Sequence, residues 1–132
     1  MKPEDFYVSA FNVMSDMLSG RDTLSIKRAV FLAEWAYYEG KLDYQVDFCD
    51  EIDRIKDFVN LFYKVNNLKS YKTGKQMALN AYFFSPYSGN GHKPYIYDFE
   101  AFSTDENSLE SQFVSNTLKT HKGQCRSLPW MY

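Results

Sequence analysis

Apolar residues recur at helical spacing through most of the first 84 positions, and little interrupts them. That pattern restricts the chain to a largely helical architecture, because a 3.6-residue period lines one face of a helix and has no counterpart in a strand. Only six Gly and four Pro occur in 132 residues, and Pro86, Gly89, Gly91 and Pro94 fall together in one stretch. Backbone-breaking chemistry is therefore concentrated in a single long segment, about Ser85 to Thr104.

The periodicity predicts five helical segments. The first runs from about Glu4 to Leu18, with Tyr7, Ala10, Phe11, Met14, Met17 and Leu18 as its apolar stripe, and Ser19-Gly20 stops it. The second opens with Ser25 as N-cap and closes at Gly40, with Ile26, Ala29, Val30, Ala33, Ala36 and Tyr37 inward and Phe31, Leu32 and Trp35 on other faces. The third spans about Tyr44 to Val65, inward through Val46, Cys49, Ile52, Ile55, Val59, Phe62 and Tyr63. Its acidic run, Asp47, Asp50, Glu51 and Asp53, reads as a solvated face. The fourth covers about Thr73 to Phe84, with Met77, Ala78, Ala81 and Tyr82 on one side.

Within the irregular stretch, Tyr95-Ile96-Tyr97-Asp98-Phe99 alternates and suits a short extended piece. The fifth helix, about Ser108 to Thr120, ends at Lys122-Gly123, and a new helix begins near Cys125. The expected fold is mainly α: one compact domain over residues 1–132, about five helices and one long loop, ending in the start of a cysteine-bearing helix. No internal repeat is present. Ala36 to Tyr44 resembles the turn of a tetratricopeptide repeat, but 34 residues further on Ser70-Tyr71-Lys72 does not repeat it.

Composition narrows the function classes. An apolar fraction of 45% excludes a disordered tail, and Tyr, Phe and Trp together make 18% of the chain. A net charge of −2 without a basic cluster argues against phosphate-driven nucleic-acid binding. No apolar run reaches the length of a membrane span. The acidic start, Met1-Lys2-Pro3-Glu4-Asp5, is unlike a signal peptide, so the expectation is a cytoplasmic protein or an exported one whose signal has been removed.

Cys49 and Cys125 form no disulfide framework, and no His/Cys cluster suggests a metal or other cofactor. Cys49 sits on an apolar stripe, between Val46 and Ile52, and reads as core. The Gly-rich loop around Gly89 and Gly91 lacks the Gly-Lys-Ser/Thr ending of a phosphate-binding loop. Tyr87, Tyr95 and Tyr97 offer a lining for the approach to Cys125.

Cys125 is the candidate nucleophile. Gly123 lets the chain turn, and Cys125 falls in the first turn of an apolar helix, where backbone amides face the sulfur and favour the reactive thiolate. Pro129 fits such a position because early helical N–H groups lack partners. The segment Gly123-Gln124-Cys125-Arg126-Ser127-Leu128-Pro129 resembles the nucleophile motif of bacterial transglutaminase-like proteins, in the papain-like cysteine-protease superfamily. There a Gly-x-Cys-x-Ser pattern opens the central helix. Leu79 to Phe84, Leu118 to Gly123 and Leu24 to Asp43 are similar to the helical lead-in of one branch of that family.

The resemblance implies that Cys125 attacks an amide carbonyl of a protein or peptide substrate, giving a thioester that water or an amine resolves. It also implies a catalytic His and Asp on strands downstream of the cysteine helix. Within 132 residues only His92 and His121 occur, and neither matches that placement. The expectation is therefore the N-terminal, nucleophile-bearing region of a larger enzyme, inactive alone. The alternative is a non-catalytic helical interaction or scaffold domain with Cys125 buried. An aromatic-lined carbohydrate- or peptide-binding module ranks below both. Trp130-Met131-Tyr132 would present large apolar side chains, so self-association through that end is expected.

Overall fold

The computed structural model describes residues 2–86, 91, 93–99, 109–125, 127 and 128. The chain is mainly α-helical, as the periodicity predicts. Among the described residues the order is α1 (Pro3–Leu18), α2 (Ile26–Tyr37), a π-helical turn (Gln45–Cys49), α3 (Asp50–Val65), a 3-10 turn (Leu68–Ser70), α4 (Gly74–Phe84), β1 (Ile96–Tyr97), a second 3-10 turn (Leu109–Gln112), α5 (Val114–Thr120) and β2 (Lys122–Gly123). Two compact units are present, Met1–Phe48 and Cys49–Tyr132. No described helix is long and apolar enough to cross a membrane.

In the first unit, local chemistry sets the helix ends. Pro3 occupies the first helical position, and the Asp5 carboxylate accepts the Lys2 backbone N–H at 2.9 Å, satisfying a donor that the helix leaves over. Ser25 caps α2 as expected, its hydroxyl accepting from the Arg28 amide at 3.2 Å. Ser25→Ala should cost about 1 kcal/mol, read as a lower denaturant midpoint at unchanged slope. Past α2 the chain turns through left-handed Glu39 and Gly40, at φ 52° and 75°. Gly40 also lies against α1: a Cβ there would sit 2.7 Å from the Phe6 ring. Phe6 in turn meets Trp35 edge-on, 5.3 Å between centroids.

The buried faces are rotated from those predicted. On α1, Ala10 and Met17 are buried and Phe6 and Val13 half-buried, whereas Tyr7, Phe11 and Leu18 are exposed. The true stripe is 6-10-13-17. On α2, Phe31, Leu32 and Ala36 are buried, while Ile26 and Ala33 face outward. A helix apolar on most sides fixes no phase by pattern. Ring area decides it: Phe31 packs on Tyr44 and Phe48, at 4.8 and 5.8 Å between centroids.

The continuous helix expected from Tyr44 gives way to the π-helical turn. Paired side-chain bonds hold its start, with Asp43 accepting the Val46 amide and Asp47 accepting the Asp43 amide, each at 2.8 Å. The wider turn shifts the register of the face. Val46 is exposed, while Phe48 and Cys49 are buried. Cys49 is a free thiol in the core, as its stripe predicts.

The second unit packs α3 on α4 around aromatic rings. Tyr82 and Ala78 are fully buried, Phe83 nearly so, and Phe58 meets Tyr82 at 5.1 Å; Met77, predicted inward, is exposed. Glu51 leaves the solvated face expected for it. Its carboxylate accepts the Tyr82 hydroxyl at 3.3 Å and pairs with Arg54 at 2.9 Å. Burial, with the Glu51 charge adding, pushes the Tyr82 hydroxyl up to about 12. Tyr95 is pushed up further by the same burial, its hydroxyl enclosed beside that of Tyr82.

Candidate nucleophile turn

The turn bearing Cys125 is built by three segments distant in sequence. α5 ends at His121, whose left-handed backbone, φ 59°, redirects the chain into β2. β2 pairs in parallel with β1, Ile96 opposite Lys122 and Tyr97 opposite Gly123. The Ile96 amide donates to the His121 carbonyl at 2.9 Å, and the Asp98 amide to the Gly123 carbonyl at 2.8 Å. Within the alternating stretch Tyr95 to Phe99, only Ile96–Tyr97 forms a strand. Lys122-Gly123, expected to terminate the fifth helix, instead supplies its partner strand.

Beyond β2, one helical turn opens. The Leu128 amide donates to the Gln124 carbonyl at 3.1 Å, which makes Gln124 the cap and Cys125 the first residue inside the turn. Ser127 anchors it: its fully buried hydroxyl accepts the Gln124 amide at 2.9 Å and donates to the Ser111 carbonyl at 3.3 Å. Gly123 is required by space, since a Cβ there would lie 2.6 Å from Ser127 Oγ and 2.9 Å from both Thr117 Oγ1 and Cγ2. Gln124 and Ser127 point into the core, whereas Cys125 is exposed and its thiol is free. Glycine, cysteine and serine of the motif thus have three separate jobs: close approach, presentation and anchoring.

His121 is fixed by its surroundings. Its ring stacks on Tyr95, centroids 4.2 Å apart and planes within 13°, and its Nδ1–H donates to the Lys93 carbonyl. That bond leaves Nε2 as the ring's basic nitrogen. Tyr95 is buried, so it does not line an approach to Cys125 as expected; Tyr97 is half-buried with its ring against Phe99. Tyr87, His92, Arg126 and the apolar end from Pro129 to Tyr132 lie outside the described residues. Among the described residues, no group of three His, Cys, Asp or Glu side chains could hold a metal ion.

The motif pattern names Cys125 but not Ser111 or Thr117, whose carbonyl and side chain respectively meet Ser127 and the space at Gly123 through contacts that no local pattern encodes. No protein-family model, curated protein or solved structure matches this chain.

Proposed function

We propose that this chain carries the nucleophile of a transglutaminase-like cysteine acyl-transfer site, with Cys125 as the attacking residue. The observation that supports the reading is the division of labour in Gly123-Gln124-Cys125-Arg126-Ser127: Ser127 and Gln124 are locked inside while the cysteine between them faces solvent. A cysteine that served packing would be buried like its neighbours, as Cys49 is.

In the proposed reaction, the Cys125 thiolate adds to an amide carbonyl carbon, forming the C–S bond as the carbonyl electron pair moves to oxygen. Collapse restores C=O and breaks C–N, and the amine leaves with a proton delivered by an acid–base group. Water or a second amine then opens the thioester, giving an acid or a new amide and returning the thiol. His121, held by Tyr95 and Lys93, is not assigned the proton transfer. The reading assigns that role to none of the described residues.

Iodoacetamide labelling of the folded chain at neutral pH, mapped by mass spectrometry, tests the assignment. Cys125 should be modified before Cys49 and roughly tenfold faster than free glutathione under the same conditions. Labelling no faster than glutathione, or with Cys49 first, would favour the scaffold reading.

A further inference from the structure

Charge is segregated along α3 and the corner that follows it. Residues 43–57 carry six acidic side chains against Arg54 and Lys56, whereas residues 58–97 carry five lysines and no acid. Asp50, Asp53, Asp57, Leu61 and Lys64 follow at three- and four-residue steps, so they form one stripe, and all five are exposed. The opposite side of the helix is turned inward, with Ile55 buried and Phe58 packed on Tyr82. Past α3 the positive charge is gathered. A Cβ on Gly74 would collide with the Leu68 carbonyl oxygen and lie 2.9 Å from the Tyr63 ring, so the chain closes on itself there. The backbones of Lys69 and Lys75 therefore stand within about 10 Å of each other, with Lys72 between them. Neither Asp53 and Asp57 nor these lysines and Lys64 make an ion pair among the described residues. One surface thus has an acidic end and a basic end, neither neutralised within the chain.

We infer that this face of α3 pairs with the same face of a second copy of the chain, antiparallel about a two-fold axis beside Leu61. A two-fold contact must be self-complementary, and a stripe acidic at one end and basic at the other is so only when the second helix is reversed. With the axis between Asn60 and Leu61, Asp57 and Lys64 each lie about 5 Å from it, on opposite sides. Asp57 of each copy then faces Lys64 of the other, and Asp53 arrives at the corner that carries Lys69 and Lys72. The two helix dipoles oppose one another, which adds to the attraction. Leu61, 62% exposed, meets its own copy at the axis and gives the seam an apolar centre. The seam is one helix wide and its charges are exposed, so the pair is transient and sensitive to salt.

Sedimentation velocity of the 132-residue chain provides the test. The dimer dissociation constant, about 100 µM in ~20 mM sodium chloride, should rise at least tenfold in ~500 mM. Two charge reversals, Asp53→Lys with Asp57→Lys and Lys64→Glu with Lys69→Glu, should each leave the chain monomeric where the wild type pairs. Mixed in equal amounts, the two variants should form a heterodimer, because every repulsive contact of one is answered by the other. All four positions are exposed, so both variants should keep the wild-type melting curve. Should a reversal fail to fold, Asp57→Asn and Lys64→Gln repeat the test, each raising the dissociation constant at least threefold. A wild-type chain monomeric at low salt overturns the pairing, and so does association that strengthens with salt or survives either reversal. A mixture of folded variants that stays monomeric overturns it as well. An effect from the lysine reversal alone assigns the basic corner to an outside polyanion and equally rejects the second copy.

Discussion

Gly123→Ala should destabilise the second unit by about 3 kcal/mol and disorganise the cysteine turn with it. The new methyl would lie 2.6 Å from Ser127 Oγ and 2.9 Å from Thr117 on two atoms. Both side chains are completely buried, so neither can swing away. Displacing Ser127 takes away the acceptor of the buried Gln124 amide, at about 1–3 kcal/mol. Moving β2 instead breaks its ladder to β1. Denaturant midpoints together with hydrogen exchange of the Gln124 and Asp98 amides would show which gives way. A loss below about 0.5 kcal/mol, within the range of ordinary surface substitutions, would mean that the corner is not close-packed.

Tyr82→Ala should cost more, about 4 kcal/mol, as expected for emptying a fully buried ring site. The cavity would remove contacts with Phe58, Phe83 and Tyr95 together. Tyr82→Phe keeps the ring and loses only the hydroxyl bonded to Glu51, so about 1 kcal/mol is expected. The pair therefore separates packing from hydrogen bonding at one position.

The same hydroxyl gives a pH signature. Its pKa is raised in the folded chain, from 10.0 to about 12, so the native state holds the proton more tightly than the unfolded state does. Stability from this source is complete below pH 10 and drains away as pH rises to 12, at no more than about 1.4 kcal/mol per unit. Tyr82→Phe should flatten part of that alkaline decline in denaturant titrations. Tyr95, pushed up still further by burial, adds a decline of the same sign. A slope identical in both chains would remove Tyr82 from the account.

Features written in neighbouring residues were legible in the sequence. Ser25 capping α2 and Gly20 and Gly40 in left-handed turns depend on a few adjacent residues. Helix phase was less legible. On α1, Ala10 and Met17 of the predicted stripe are buried, but Phe6 and Val13 complete the packed face in place of Tyr7, Phe11 and Leu18, because an aromatic-rich helix offers two competing stripes. The π-helical turn at Gln45–Cys49 escaped notice because its Asp43–Asp47 bonds reorganise a segment whose apolar spacing still reads as regular helix. At the candidate site, the motif pattern singles out Cys125, and the structure leaves it exposed. The burial of Ser127 and the pairing of β2 with β1 are not written in the motif, since both depend on partners brought from other parts of the chain.

The parallel ladder between β1 and β2 has a kinetic consequence. Residues 96–97 and 122–123 meet only after the whole intervening segment, α5 included, has been looped back, and that closure entropy comes due before any ladder bond repays it. Contacts of this span form late, after helices whose bonds are local. The helices of the second unit can therefore form while the Gly123–Leu128 corner, and with it the setting of Cys125, is still unmade.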